Sequence, residues 1–258
     1  MASTAEILAL LKAHADPRNV AGMARFGMSV EGRLGVSVPA MRRIAKAIGK
    51  NHRLALDLWK TGLAEARILA SMIAEPGALT ERQMEAWVRD FDSWDVCDQV
   101  CMNLFEKSPL ARRKILEWSG REETFVKRAA FALVACLAWH DRGAPDEEFR
   151  AWLPVIVRGA TDERNFVKKA VSWALRHIGK RNLTLNTAAL RTAKALRRLG
   201  SKSARWIGAD ARRELAAETT RQRIRRAAAP GPRRTSASGA SSAASARRRS
   251  PRATRTRP

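Results

Sequence analysis

Apolar residues recur at helical spacing along most of the chain. Between 165 and 179, Val167, Ala170, Val171, Ala174, Leu175 and Ile178 share one stripe at 100° per residue, while Lys169, Trp173, Arg176 and Lys180 fall together on the opposite face. Val96, Cys97, Val100, Cys101 and Leu104 form a second stripe. From Ala129 to Trp139 the sequence is apolar without a break, which reads as a helix buried on nearly all sides; its 11 residues are too few to cross a bilayer. Strand-like alternation is confined to Leu34–Val38, and Pro39 then opens a helix at a position where proline is tolerated. The pattern predicts an all-α protein.

The helices repeat. Phe125-Val126-Lys127-Arg128-Ala129 returns 41 residues later as Phe166-Val167-Lys168-Lys169-Ala170, and acids precede both, Glu122-Glu123 and Asp162-Glu163. Helix-like segments near 64–75, 94–105 and 203–218 extend the series. Helix pairs repeating at roughly 40–47 residues form HEAT and armadillo solenoids, in which each repeat covers its neighbour's apolar face and the stack curves around a concave surface. An irregular helical bundle is the other arrangement compatible with this pattern.

Charge divides the chain. The net charge is +24, and residues 221–258 hold 12 arginines with no acid, which leaves the body with 37 cationic against 25 acidic side chains. A balance this lopsided favours a polyanionic partner. The segment 221–258 is Ala, Ser, Arg, Pro and Gly with almost no large apolar residue, so it is expected to be a disordered tail following a folded domain over 1–220. No secretory signal is visible after Met1, and the three cysteines form no CxxC, which points to reduced core thiols and a cytoplasmic location. His14, His52, His140 and His177 are scattered, and no metal site is expected.

Three places carry residues suited to chemistry. A tryptophan among cations on the polar side of a helix, Trp173 with Lys169, Arg176 and Lys180, fits either packing beneath a neighbouring repeat or a surface for a nucleobase flanked by phosphate contacts. In Phe91-Asp92-Ser93-Trp94-Asp95-Val96-Cys97-Asp98, Ser93 or Asp92 suits the N-cap and Asp95 suits the helix dipole. Trp94 and Asp98 are one turn apart and share a face. Arg128 sits on a helix that is otherwise apolar, in line with Ala132, Ala135 and Trp139. It needs either an internal carboxylate such as Asp98 or a phosphate. Indole faces attract cations, and one carboxylate can stabilise the positive charge that develops on a sugar as a glycosidic bond breaks. These residues would therefore suit a purine made cationic by alkylation.

Together these segments resemble the HEAT-like DNA alkylation-repair glycosylases (the AlkD family) over about residues 17–220. The resemblance is carried by Met23-Ala24-Arg25-Phe26, Leu34-Gly35-Val36-Ser37-Val38-Pro39, Glu65-Ala66-Arg67-Ile68-Leu69-Ala70, Ser93 to Asp98, Phe125 to Ala129, Val171-Ser172-Trp173-Ala174-Leu175-Arg176 and Ala204-Arg205-Trp206-Ile207. It implies a HEAT-like helical-repeat solenoid and a glycosylase that releases N3- and N7-alkylated purines from double-stranded DNA without metal or organic cofactor. It also implies roles: Asp98 as catalytic carboxylate, Trp94 and Trp173 as aromatic walls, Arg128 and Arg176 toward the DNA backbone. Lys169 and Lys180 extend the DNA-binding set, and the protein is expected to act as a monomer. The chain departs from the family in two respects: Glu31-Gly32-Arg33 stands where relatives have a longer acidic, aromatic stretch, and there is no tyrosine. A non-catalytic binder of damaged or branched DNA is the alternative function. A protein-interaction solenoid fits the basic balance less well.

Overall fold

The computed structural model describes residues 2–228. Among these the regular structure is entirely helical: fourteen α-helices with short 3₁₀ turns and no strand. Six helices stack side by side in one row: α3 (Val38–Ile48), α5 (Ala64–Ile73), α7 (Trp94–Asn103), α9 (Thr124–His140), α11 (Asn165–Lys180) and α13 (Lys202–Leu215). A second row packs behind it: α4 (His52–Lys60), α6 (Glu81–Arg89), α8 (Ala111–Ser119), α10 (Asp146–Gly159), α12 (Leu183–Leu196) and α14 (Glu218–Ala228). The two short helices α1 (Thr4–Ala13) and α2 (Pro17–Met23) begin the chain. This is the HEAT-like solenoid rather than an irregular bundle.

The repeat has a physical basis in how successive helices meet. The Phe125 and Phe166 rings, one period apart, lie 5.4 Å centre to centre, and Lys168 Nζ sits 5.1 Å from the Trp206 ring one period further on. The acids preceding these helices link neighbouring repeats. Asp162 binds Lys127 of the previous helix at 3.3 Å, and Glu163 accepts hydrogen bonds from Ser201 Oγ and the Ser203 amide of the next. Helix α9 runs through the centre with Ala129–Ala138 wholly buried, matching the unbroken apolar run. Leu34–Ser37 forms no strand; Ser37 caps α3, with Pro39 in its first turn.

The expected boundary at residue 220 is corrected. Helix α14 continues to Ala228, and Ile224 is 4 % exposed: one large apolar side chain among the arginines is enough to seat this turn against the end of the stack. The remainder of the arginine-rich segment, 229–258, lies outside the described residues.

The loop entering α3 depends on Gly35. Its φ is +76°, and a Cβ there would collide with the carbonyl oxygen of Asp16 and with Val20. Its amide and that of Leu34 both donate to Oε1 of the buried Glu65, at 2.8 and 3.0 Å. Gly35→Ala combines left-handed strain of about 1–2 kcal/mol with a backbone clash. We expect it to lower the melting temperature by at least about 4 °C in a calorimetric scan. An unchanged midpoint would mean that the N-terminal segment contributes nothing to the cooperative unit.

Candidate functional site

The first helical turn of α7 is held from outside by a residue the pattern did not single out. Arg33 donates to both oxygens of Asp95, at 2.6 and 2.8 Å, and to Ser93 Oγ at 2.9 Å, with its own side chain 3 % exposed. Ser93 is the N-cap by backbone geometry, but its hydroxyl donates to Asp95 instead of capping an amide. Asp95 therefore does more than complement the dipole. It anchors the loop ending in Arg33, and that pairing holds its carboxyl below the ordinary range despite burial, which acts the other way. Trp94 is fixed as well: its indole Nε1 donates to the Phe26 carbonyl at 3.1 Å.

One turn on, Asp98 meets Arg128. Nε and Nη2 of Arg128 donate to the two carboxylate oxygens at 2.9 and 2.8 Å, and Nη1 donates to the Phe166 carbonyl at 2.6 Å. The guanidinium carbon lies 5.9 Å from the Trp94 ring. Burial pushes the Asp98 carboxyl above its ordinary value, and the charge and hydrogen bonds of Arg128 oppose the rise. Arg128 remains a cation; its pKa is raised because the attraction of Asp98 outweighs its own burial. Of the two readings of Arg128, the internal ion pair is the one formed. With Arg128 only 5 % exposed, its expected contact with a phosphate is not available in this arrangement.

Trp94 and Asp98 of α7 and Trp173 of α11, far apart in sequence, line a single cavity of about 590 Å³. Val38 and Met41 of α3, Glu65 and Ile68 of α5, and Met102 complete its inner wall, and Met23, Phe26 and Met28 approach from the N-terminal segment. Trp173 is half-buried: it packs against the core, as the first reading expects, and it also lines the cavity.

The remaining cations separate. Lys169 is exposed and has no carboxylate within ion-pair distance among the described residues. Arg176 and Lys180 are not free. Arg176 Nη1 and Lys180 Nζ bind the two oxygens of Glu214 at 2.6 and 2.9 Å, and Arg176 Nε lies 3.5 Å from Asp210. Helix α13 thus pairs the C-terminal part of the basic face of α11 and leaves Lys169 without a partner among the described residues. His177 lies between the Trp139 and Trp173 rings, at 5.5 and 5.8 Å. Burial, with Lys180 and Arg176 nearby, lowers its pKa to about 3, so it stays neutral at physiological pH. The repeat supplied the missing signal. Glu214 and Asp210 each stand 38 residues after their partners Arg176 and Ser172, close to the 41-residue offset.

Cys97, Cys101 and Cys136 are buried free thiols. Among the described residues no cluster of three His, Cys, Asp or Glu could hold a metal ion, and no helix is long and apolar enough to cross a membrane.

The chain can now be compared with known proteins. No curated protein matches its sequence. Among solved structures, a member of a new family related to the HEAT-like repeat DNA glycosylases, with affinity for branched DNA structures, superposes with a TM-score of 0.70 at 21 % identity, covering 86 % of this chain and 96 % of that one. A designed armadillo repeat protein in complex with a (KR)4 peptide gives a TM-score of 0.35 at 15 % identity, over 74 % and 80 % of the two chains. The sequence profile described as DNA alkylation repair enzyme matches residues 7–215, which include both tryptophans, Asp98 and Arg128. With that match spanning most of its length, the chain belongs to the DNA alkylation repair enzyme family.

Proposed function

We propose that the cavity between Trp94 and Trp173 excises cationic N3- and N7-alkylpurines from double-stranded DNA by hydrolysis of the N-glycosidic bond. The observation that carries this reading is the convergence of two indoles and one carboxylate on a single cavity, with Asp98 fixed in place by Arg128. Indole faces attract the cationic base by about 0.5–2 kcal/mol per contact. The base is already an activated leaving group. As the bond to C1′ breaks, its electron pair returns to the purine ring and neutralises it, and positive charge passes to the sugar. The Asp98 carboxylate stabilises that charge, water adds at C1′, and its proton leaves to solvent. The basic body and the arginine-rich tail draw in the phosphate backbone without reading sequence.

A second reading has its own support. Both oxygens of Asp98 are already occupied by Arg128, as they would be in a purely structural pair, and the structural relative described above has affinity for branched DNA. In that reading the chain binds damaged or branched DNA without catalysis.

Asp98→Asn separates the two. It keeps shape and removes charge, so excision of N7-methylguanine from methylated duplex should fall by about 10²-fold or more, or roughly 3 kcal/mol of transition-state stabilisation, while duplex affinity changes far less. Equal release by the variant and the wild type removes Asp98 from the chemistry. A wild type that binds but releases no base leaves the binding function.

The acid limb of the pH–rate profile tests the Arg128 contact. The reaction needs ionised Asp98, so the rate is full above its pKa and is lost as pH falls through it. Burial raises that pKa and Arg128 opposes the rise. Arg128→Gln should therefore move the limb to higher pH. An unmoved limb would assign the ionisation to another group.

Glu214 restrains two cations on α11. Glu214→Gln should tighten binding to undamaged duplex and steepen the log–log salt dependence by about 1–2, since each additional phosphate neutralised contributes roughly 0.9. A shallower or unchanged slope would mean that Arg176 and Lys180 do not reach the backbone.

A further inference from the structure

The helices that supply Asp98 and its surroundings carry a second cavity at their other ends. It has a volume of about 320 Å³ and lies among Arg42 and Lys46 of α3, Gly49 and Lys50 just beyond it, Met72 of α5, Asn103 at the end of α7, and Lys107 in the 3₁₀ turn that follows. No carboxylate lines it. Two of its four cations have an ordinary structural explanation. Lys50 Nζ donates to the Met72 and Ala74 carbonyls, both at 2.9 Å, and Lys107 Nζ donates to the Asn103 carbonyl at 2.8 Å, as lysines do at helix C-termini. That explanation does not cover Arg42 and Lys46. They lie one turn apart on the same face of α3, are exposed, and make no hydrogen bond or ion pair with any described residue.

The charges are only partly compensated. Three helix C-termini together contribute roughly −1.5, against four full positive charges. Burial and the proximity of Lys107 both hold the Lys50 ammonium below its ordinary pKa, and Glu75 is the acid close enough to oppose them. Each lysine also keeps an N–H not used by a carbonyl. An anion seated among these groups would relieve the repulsion between them.

We propose that this cavity binds a backbone phosphate of the DNA strand opposite the one presented to Asp98. The inference rests on the DNA-binding reading above and deepens it. Its basis is position. Met102 lines the cavity of Asp98 and Asn103 lines the basic one, so the two adjoin along α7. Asn103 stands five positions after Asp98, a rise of about 7.5 Å along a helix, and the minor groove of B-DNA is about 6 Å wide. A duplex that offers one strand to Asp98 therefore brings the phosphates of the other strand to these cations, whereas a single strand does not.

Fluorescence anisotropy with the full chain tests this, using a labelled duplex and the matching single strand across a salt series. Arg42→Gln/Lys46→Gln should weaken duplex binding by roughly tenfold and flatten its log–log salt slope by about 1, the contribution of one phosphate, while leaving single-strand affinity unchanged. Arg43→Gln/Arg82→Gln removes two exposed cations outside the cavity and should reproduce neither effect. Both pairs are on the surface, and matching melting curves check that folding is intact. An unchanged duplex slope overturns the proposal, and so does an equal loss on duplex and single strand, which would place the cluster on the lesion strand or make it a general field. If inorganic phosphate binds in an Arg42- and Lys46-dependent way while duplex affinity ignores the same variant, the cavity belongs to a free anion instead. A wild type without duplex affinity overturns this inference together with the DNA-binding reading; a wild type that binds duplex, with an indifferent variant, overturns this inference alone.

Discussion

One guanidinium ties together the centre of the structure. Arg128 belongs to α9, grips Asp98 on α7 with two hydrogen bonds and donates a third to the Phe166 carbonyl at the start of α11. Three successive repeats thus meet in one planar group. Removing either member of such a buried pair leaves a charge without its counterion, a cost of about 3–5 kcal/mol, whereas replacing both by well-packed apolar groups is often neutral. The pair is therefore a poor device for stability alone. It does set the register between repeats, and it holds a carboxylate at the edge of a cavity where an apolar contact would leave none.

The same economy governs the other charges. Asp162 and Lys127, Glu163 and Ser201, Ser172 and Asp210, and Arg176 and Glu214 all join neighbouring repeats at close to one period. In a solenoid each inner helix touches mainly its two neighbours, so a polar side chain on its face finds its partner about forty residues away. The basic excess of the body is consequently not spread evenly. In the second half of α11 it is matched by α13, while at the far ends of α3, α5 and α7 no carboxylate lines the basic cavity.

This explains which parts of the molecule could be read from the chain. Periodicity identified the helices, because an amphipathic stripe or an unbroken apolar run such as Ala129–Trp139 depends only on local spacing. The 41-residue offset showed that helices stack, and it contained the cross-repeat pairs, although Glu214 drew no notice as an ordinary acid on a polar face. Arg33 was not legible. It follows a glycine in an irregular loop, where no period applies, and only the folded loop brings it onto Asp95. The tail boundary failed for a related reason: composition averages over a window, and one buried Ile224 is invisible in that average.

Charge balance separates the work of the cavity from that of the surface around it. Free cations beside a cationic base weaken its hold, since like charges in a low-dielectric site repel strongly. Around Asp98 the nearest cations are each cancelled at contact distance, Arg33 by Asp95 and Arg128 by Asp98, while Arg18, exposed and without an ion-pair partner among the described residues, lines the cavity on its N-terminal side. What the cavity presents is indole faces, thioethers of Met23, Met28, Met41 and Met102, and the outer side of a carboxylate pair. Lys169, Arg42 and Lys46, which have no partner among the described residues, stand outside it. Under the excision reading proposed above, a long polyanion with one positive spot fits that division: the rim would attract the phosphates, and the paired charges around Asp98 would not repel the base. In that reading the Asp98–Arg128 pair has a second consequence beyond fixing the carboxylate, because the guanidinium that orients Asp98 would also be prevented by it from repelling a cationic base.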